Sequence, residues 1–173
     1  MVPADAPTFA AYRSDPHVAR YQGWEPPLAL TAAEAFVAAM AVVHAEPGSW
    51  VQLSVVEQAG EAHVGDVAFC LTDDGRQARV GITIARSAQH RGYGAEALGA
   101  LLDHLLGPAG LHRVLAECDA RNTASARLLE RVGMRLEARH LAASWWKGEW
   151  TDDLVFAVLA TERSTTDGTE SAG

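Results

Sequence analysis

The spacing of apolar and polar positions changes period several times along the chain, and each change marks an element. Met1–Pro7 is small, Pro-containing and without period, the composition of a flexible end. Thr8–Ser14 fits a short helix that Asp15-Pro16 ends, since a residue before proline is pushed out of the helical region. Beyond Pro26-Pro27, Thr31 and Glu34 have the form of a capping box, and Phe36, Val37, Met40 and Val43 give one apolar face before Pro47-Gly48. From Ser49 the period becomes two. Trp50–Glu57 and His63–Leu71 read as hairpin strands about Gly60-Glu61, and Gln77–Ala85 as a third strand after Asp73-Asp74-Gly75.

The helical period returns with Ala97, Leu98, Leu101, Leu102, Leu105 and Leu106, predicting a helix from Gly94 to Leu106 that closes at Gly107-Pro108. Leu111–Cys118 is a further strand. Asn122 opens another helix, with Leu128, Leu129 and Val132 inward and Gly133 at its end. Strands over Arg135–Trp145 and Asp153–Ala160 flank the turn Lys147–Trp150. The order αα, βββ, α, β, α, ββ predicts an α/β fold, one mixed sheet with helices packed on it. Residues 1–162 read as a single domain, and 163–173 as a tail too polar to order itself.

Composition narrows the function classes. The chain has 173 residues, of which 49 % are hydrophobic and 21 % charged, enough for a full core. With 14 Lys and Arg against 22 Asp and Glu, the formal net charge is −8. That disfavours sequence-independent nucleic-acid binding and suits a cationic acceptor better. Cys70 and Cys118 lie in apolar strands and read as buried thiols. Lacking a signal peptide, a long apolar run or a metal-ligand spacing, the chain reads as cytoplasmic, with no membrane partner and no metal.

Between the third strand and the long helix lies Gln89-His90-Arg91-Gly92-Tyr93-Gly94-Ala95. Glycine lets backbone approach a ligand closely, and amides opening a helix point outward without partners, so the turn is built for a phosphate or pyrophosphate. It lacks the third glycine of the dinucleotide fingerprint and the Gly-Lys-Ser/Thr of a P-loop. It resembles the Gln/Arg-x-x-Gly-x-Gly/Ala loop of the GNAT superfamily of acetyl-CoA-dependent N-acetyltransferases. A second segment, Asn122-Thr123-Ala124-Ser125 followed by Leu128-Leu129-Glu130 and Gly133-Met134, resembles that superfamily's Asn-x-x-Ser…Leu-Leu-Glu-x-x-Gly-Phe stretch. Gly148-Glu149-Trp150-Thr151-Asp152 is similar to its Gly-x-Trp-x-Asp turn. The resemblance covers roughly His17–Glu162 and is strongest to the branch of ribosomal-protein N-terminal acetyltransferases and related antibiotic acetylases.

The resemblance implies the GNAT fold: a central, mostly antiparallel sheet with helices on both faces and acetyl-CoA in a cleft between the third and fourth strands. Ile82, Thr83 and Ile84 would pair through backbone groups with the pantetheine arm. Gln89, His90, Arg91, Gly92, Tyr93, Gly94 and Ala95 form the pyrophosphate loop, with the amides of Arg91, Gly92, Gly94 and Ala95 as donors. Asn122 would bond the pantetheine amides and Ser125 would protonate the departing thiolate. The acceptor pocket is expected from Tyr21, Trp24, Glu25, Trp145, Trp146 and Glu149, since aromatic walls with carboxylates suit a cationic amine.

Three departures from the family pattern matter. No strand is predicted before the first helix, so that edge of the sheet is exposed or covered by a second copy in a homodimer. Where many members carry a tyrosine acid, this chain has Leu129. Where many carry a third-strand glutamate, it has Arg79 or Val80, which leaves Glu117 or Asp66 to act through water, or no base at all. An attacking amine must be neutral. A lysine near ~10.4 needs a strong base, whereas an N-terminal amine near ~8 is already partly deprotonated. The expected acceptor is therefore a protein N-terminal amine or a small amine, an aminoglycoside-type antibiotic included. A binding module that has lost catalysis is the reading from another class.

Overall fold

The computed structural model describes residues 1–42 and 44–163. A 3₁₀ turn at Pro3–Asp5 leads into α1 (Ala6–Arg13), α2 (Pro16–Ala19) and α3 (Leu30–Met40). β1 (Trp50–Val56), β2 (His63–Leu71) and β3 (Gln77–Ile84) follow, then α4 (Tyr93–Leu106), β4 (Arg113–Asp119), α5 (Thr123–Arg131), β5 (Arg135–Trp146), β6 (Glu149–Leu159) and α6 (Ala160–Arg163). The strands form one sheet in the order β1-β2-β3-β4-β6-β5. Only β3 and β4 run parallel; the other neighbours are antiparallel hairpin or returning strands.

Strand alternation sends two cores to opposite faces. On one, Leu98, Leu102 and Leu105 of α4 pack with Val80, Val114, Leu129 of α5 and Phe156. On the other, Phe9 and Tyr12 of α1, Val18 of α2 and Val37 of α3 pack over Val64. Helices thus cover both faces, as expected.

Several local expectations are corrected. Met1–Pro7 is not loose: the Asp5 carboxylate accepts from the Val2 amide at 2.8 Å and from Ser54 at 2.6 Å, which ties the N-terminus to β1. Asp15-Pro16 does not simply end a helix. Asp15 accepts from the His17 amide, and Pro16, whose missing N–H is no loss in a first turn, starts α2. Thr31 and Glu34 form no capping box, because α3 begins at Leu30 with Ala29 as its cap. Val43 lies outside the described residues, as does the tail beyond Arg163. Arg163 itself is held, by Asp103 at 2.6 Å and by the carbonyls of Val132 and Gly99. Cys70 and Cys118 are half-buried rather than buried. The last turn is tighter than predicted: Trp146 pairs with Glu149, and Lys147 and Gly148 both have positive φ, the two-residue turn that matches strand twist.

Candidate active-site cleft

The cleft begins where a ladder stops. β3 and β4 pair at Gln77 with Arg113, Ala78 with Val114 and Arg79 with Leu115, and then part. Beyond that point Ile82 and Ile84 have no strand beside them on that edge. The Ala85 amide donates to the Val64 carbonyl, and hydrogen-bonding direction alternates along a strand. Thr83 therefore turns its backbone groups to Asp66 of β2, while Ile82 and Ile84 turn theirs into the gap. The opening is a cleft of about 520 Å³, ordinary for a small-molecule site.

The glycine loop closes one end. Gly92 has φ +90 and caps α4, a left-handed conformation that glycine adopts without penalty. The Ala95 amide is already taken, donating to the Gly92 carbonyl at 3.0 Å. Tyr93 and Gly94, the first two residues of the helix, keep amides with no partner inside it. The Gln89 side chain donates to the Ile84 carbonyl at 3.1 Å, fastening the loop to β3. The loop's other tether is Glu57, which accepts from Arg91 at 2.7 Å and from the Tyr93 hydroxyl. The Tyr93 hydrogen bond, helped by Arg91, lowers the Glu57 carboxyl, and the same bond raises the Tyr93 phenol.

From α5, Asn122, Ala124, Ser125, Arg127, Leu128 and Arg131 line the cleft. Arg127 and Arg131 are one helical turn apart on one face. The Asn122 side-chain oxygen accepts from the Ser125 amide at 3.1 Å, so it caps α5 and its amide nitrogen stays available. Burial raises the Cys118 thiol, an effect that the neighbouring Ser125 opposes. Opposite, His17, Val18, Tyr21 and Gln22 of α2 and its following turn complete the wall.

The structure brings Tyr21, Ile82, Thr83, Ile84, Gln89, His90, Gly92, Tyr93, Gly94, Ala95, Asn122 and Ser125 to this one cleft. Arg91 points away to Glu57. Trp24 lies in the helical layer, its indole nitrogen donating to the Arg13 carbonyl at 2.9 Å with the Arg13 guanidinium 3.9 Å from its ring. Glu25 is exposed and 3.9 Å from the Lys147 ammonium. Trp145 is 62 % exposed, set edge-on to Trp150, and Trp146 packs over Gly23. Glu149 pairs at 2.6 Å with Arg121, which also holds Asp119 and lowers its carboxyl. Glu117 is exposed on β4 outside the cleft wall. Asp66 is 1 % exposed and occupied by Tyr12, Gln52 and Arg13, so its role is structural. Burial, and after it the neighbouring Asp66 carboxyl, raises the Tyr12 phenol.

Of the cleft residues, His17, Arg127 and Arg131 are not singled out by the sequence, whereas Gln22 lies in the Tyr21–Glu25 segment expected at the acceptor pocket. The two arginines had a signal, their i, i+4 spacing beside the glycine loop. His17 had none until Pro16 was seen to begin a helix.

A left-handed glycine, free amides at a helix start, two arginines and an unpaired strand edge are the donor set that a pyrophosphate with an amide-bearing arm requires. The comparisons agree. Residues 1–135 match the model of the Acetyltransferase (GNAT) domain. Over 99 residues, 57 % of this chain and 58 % of that protein, the chain is 28 % identical to the uncharacterized N-acetyltransferase YnaD of Bacillus subtilis (strain 168). The match thus spans less than two-thirds of that relative. A spermidine N-acetyltransferase from Vibrio cholerae, in complex with CoA and spermine, shares the fold with a TM-score of 0.80 at 17 % identity, over 94 % of each chain. RimL, a ribosomal L7/L12 alpha-N-protein acetyltransferase in complex with coenzyme A, shares it with a TM-score of 0.78 at 18 % identity, over 92 % of this chain and 90 % of that one.

Proposed function

The chain belongs to the GNAT family of acetyltransferases, and from that premise we propose that it moves the acetyl group of acetyl-CoA onto a primary amine by direct attack in a ternary complex. The observation that carries this reading is the gap between β3 and β4, ended by the glycine loop. Acetyl-CoA supplies an activated thioester. The protein's part is to hold it: Tyr93 and Gly94 amides with Arg127 and Arg131 on the phosphates, Ile82 and Ile84 backbone groups and the Asn122 amide on the arm. One amide of that strand edge also meets the oxyanion that forms on attack, and such a donor contributes several kcal/mol. Ser125 gives its proton to the leaving sulfur.

For the acceptor, the site chemistry favours an amine of moderate basicity, a protein N-terminus or a small amine. Among the described residues that line the cleft none is a carboxylate. A polycation such as an aminoglycoside or a polyamine therefore finds little to hold it inside. The test is thiol release from acetyl-CoA with a free-N-terminus dipeptide amide, spermidine and an aminoglycoside in parallel. Release is expected fastest with the dipeptide. Binding of acetyl-CoA without release for any amine would make the chain a binding module, and no binding would remove the cleft assignment altogether.

A further inference from the structure

An ammonium group must lose a proton before it attacks, and the cleft must say where that proton goes. The titratable side chains on its described wall are His17, Tyr21, His90, Tyr93, Arg127 and Arg131. Arginine stays protonated and a phenol holds its proton near neutral pH. The Tyr93 hydroxyl is also committed to Glu57. His90 belongs to the glycine loop, at the phosphate end. His17 stands on α2, beside Val18 and one turn from Tyr21, on the wall facing α5 across the β3 edge.

Its backbone is fixed from two sides. Asp15 accepts from the His17 amide at 2.8 Å, and the Lys147 ammonium of the β5–β6 turn donates to the Ala19 carbonyl at 2.7 Å. Val18 and Ala19 are buried, which leaves the exposed His17 ring at the cleft. Arg127 and Arg131 of α5 share the cleft wall with it, and the charges packed behind it are matched. Arg13 of α1 meets Asp66, Arg121 meets Asp119 and Glu149, and Lys147 meets backbone oxygens and Glu25. Asp15 and Arg20 are the charged neighbours on α2 and its flanks.

We propose that His17 is the general base of acetyl transfer, and that this base sets the acceptor class as an α-amine. The proposal rests on the acetyltransferase reading above. The proton of R–NH₃⁺ passes to the neutral imidazole, giving R–NH₂ and an imidazolium. The nitrogen lone pair forms the C–N bond to the thioester carbon, and the carbonyl π pair moves to oxygen. When that pair returns, the C–S bond breaks and its electrons leave on sulfur. The sulfur takes a proton from Ser125, which recovers one from the new amide nitrogen. The sum is an acetamide, CoA thiol and one proton released from His17. An α-amine of pKa ~8 gives up its proton on the order of 10²-fold more readily than a lysine or polyamine of pKa ~10.4, so a single imidazole serves the α-amine far better.

The experiment compares wild type, His17→Gln and His17→Ala. It reads kcat/KM against pH with alanyl-alaninamide, spermidine and hydroxylamine, the last being largely unprotonated near neutrality. Calorimetric acetyl-CoA affinity serves as the folding control. Wild type is expected to show an acid limb with the dipeptide. His17→Gln should lose that limb and about 10²-fold or more of the rate, with acetyl-CoA affinity unchanged. Hydroxylamine should lose little, and added imidazole should restore part of the His17→Ala rate. A limb that survives in His17→Gln, or equal losses with dipeptide and hydroxylamine, would overturn the assignment while leaving acetyl transfer intact. Wild type that releases no thiol with any of the three amines would overturn both.

Discussion

Asp66 shows what one side chain's surroundings decide. In the sequence it is a polar residue in a strand, available to act through water. In the fold it is buried under α1, its oxygens accepting from Tyr12, from Gln52 and from Arg13, the last at 3.4 Å. Taking a buried charge out of such a set leaves Arg13 unpaired, and losses of ~3–5 kcal/mol are typical. Asp66→Ala is therefore expected to cost about that much in urea unfolding, whereas a loss under ~1 kcal/mol would mean that water reaches the carboxylate. The neighbouring Gly65 has no signal in the sequence. A Cβ at Gly65 would strike the Thr83 carbonyl and come within 2.9 Å of the Ile84 side chain. Cross-strand closeness of this kind depends on register, which no single strand reveals.

At the scale of elements, periodicity was enough for the strands and for α4, because apolar faces repeat along their length. The same reasoning placed the glycine loop at the α4 start and Asn122 at the head of α5, and both stand there. It failed where an element is four residues long or where distant segments meet. α2 is too short to show a period, and its proline starts a helix where the sequence alone suggests a stop. The acceptor wall was expected from Trp145, Trp146 and Glu149, yet the β5–β6 turn works from behind. Its Lys147 holds the α2 segment by the Ala19 carbonyl and by that of Trp24 at 3.2 Å. Lys147→Ala should loosen the turn that carries Tyr21 and Gln22. The expected result is a several-fold rise in KM for the amine with acetyl-CoA affinity unchanged. Equal effects on both substrates would mean the turn supports the whole cleft.

For the molecule as a whole, the order of elements was legible and the architecture followed from it, with helices on both faces of a mixed sheet. What the order could not convey is that the sheet is two plates joined at three residue pairs. A complete ladder would have needed nothing further, whereas this one leaves every second residue of β3 unmatched beyond Arg79. Apart from the Ile84 carbonyl, which Gln89 serves, that edge carries polar backbone open to solvent, and a bound arm with amide groups would replace that solvent as a missing rung. Deuterium uptake makes the point measurable. The Thr83 amide, already bonded across to β2, should exchange slowly with or without acetyl-CoA. The Ile82 and Ile84 amides should exchange freely until acetyl-CoA is added and slow by an order of magnitude or more when it is. A uniform change along 82–84 would instead describe a strand that tightens as a unit. The alternating signature belongs to a sheet whose last strand is its substrate.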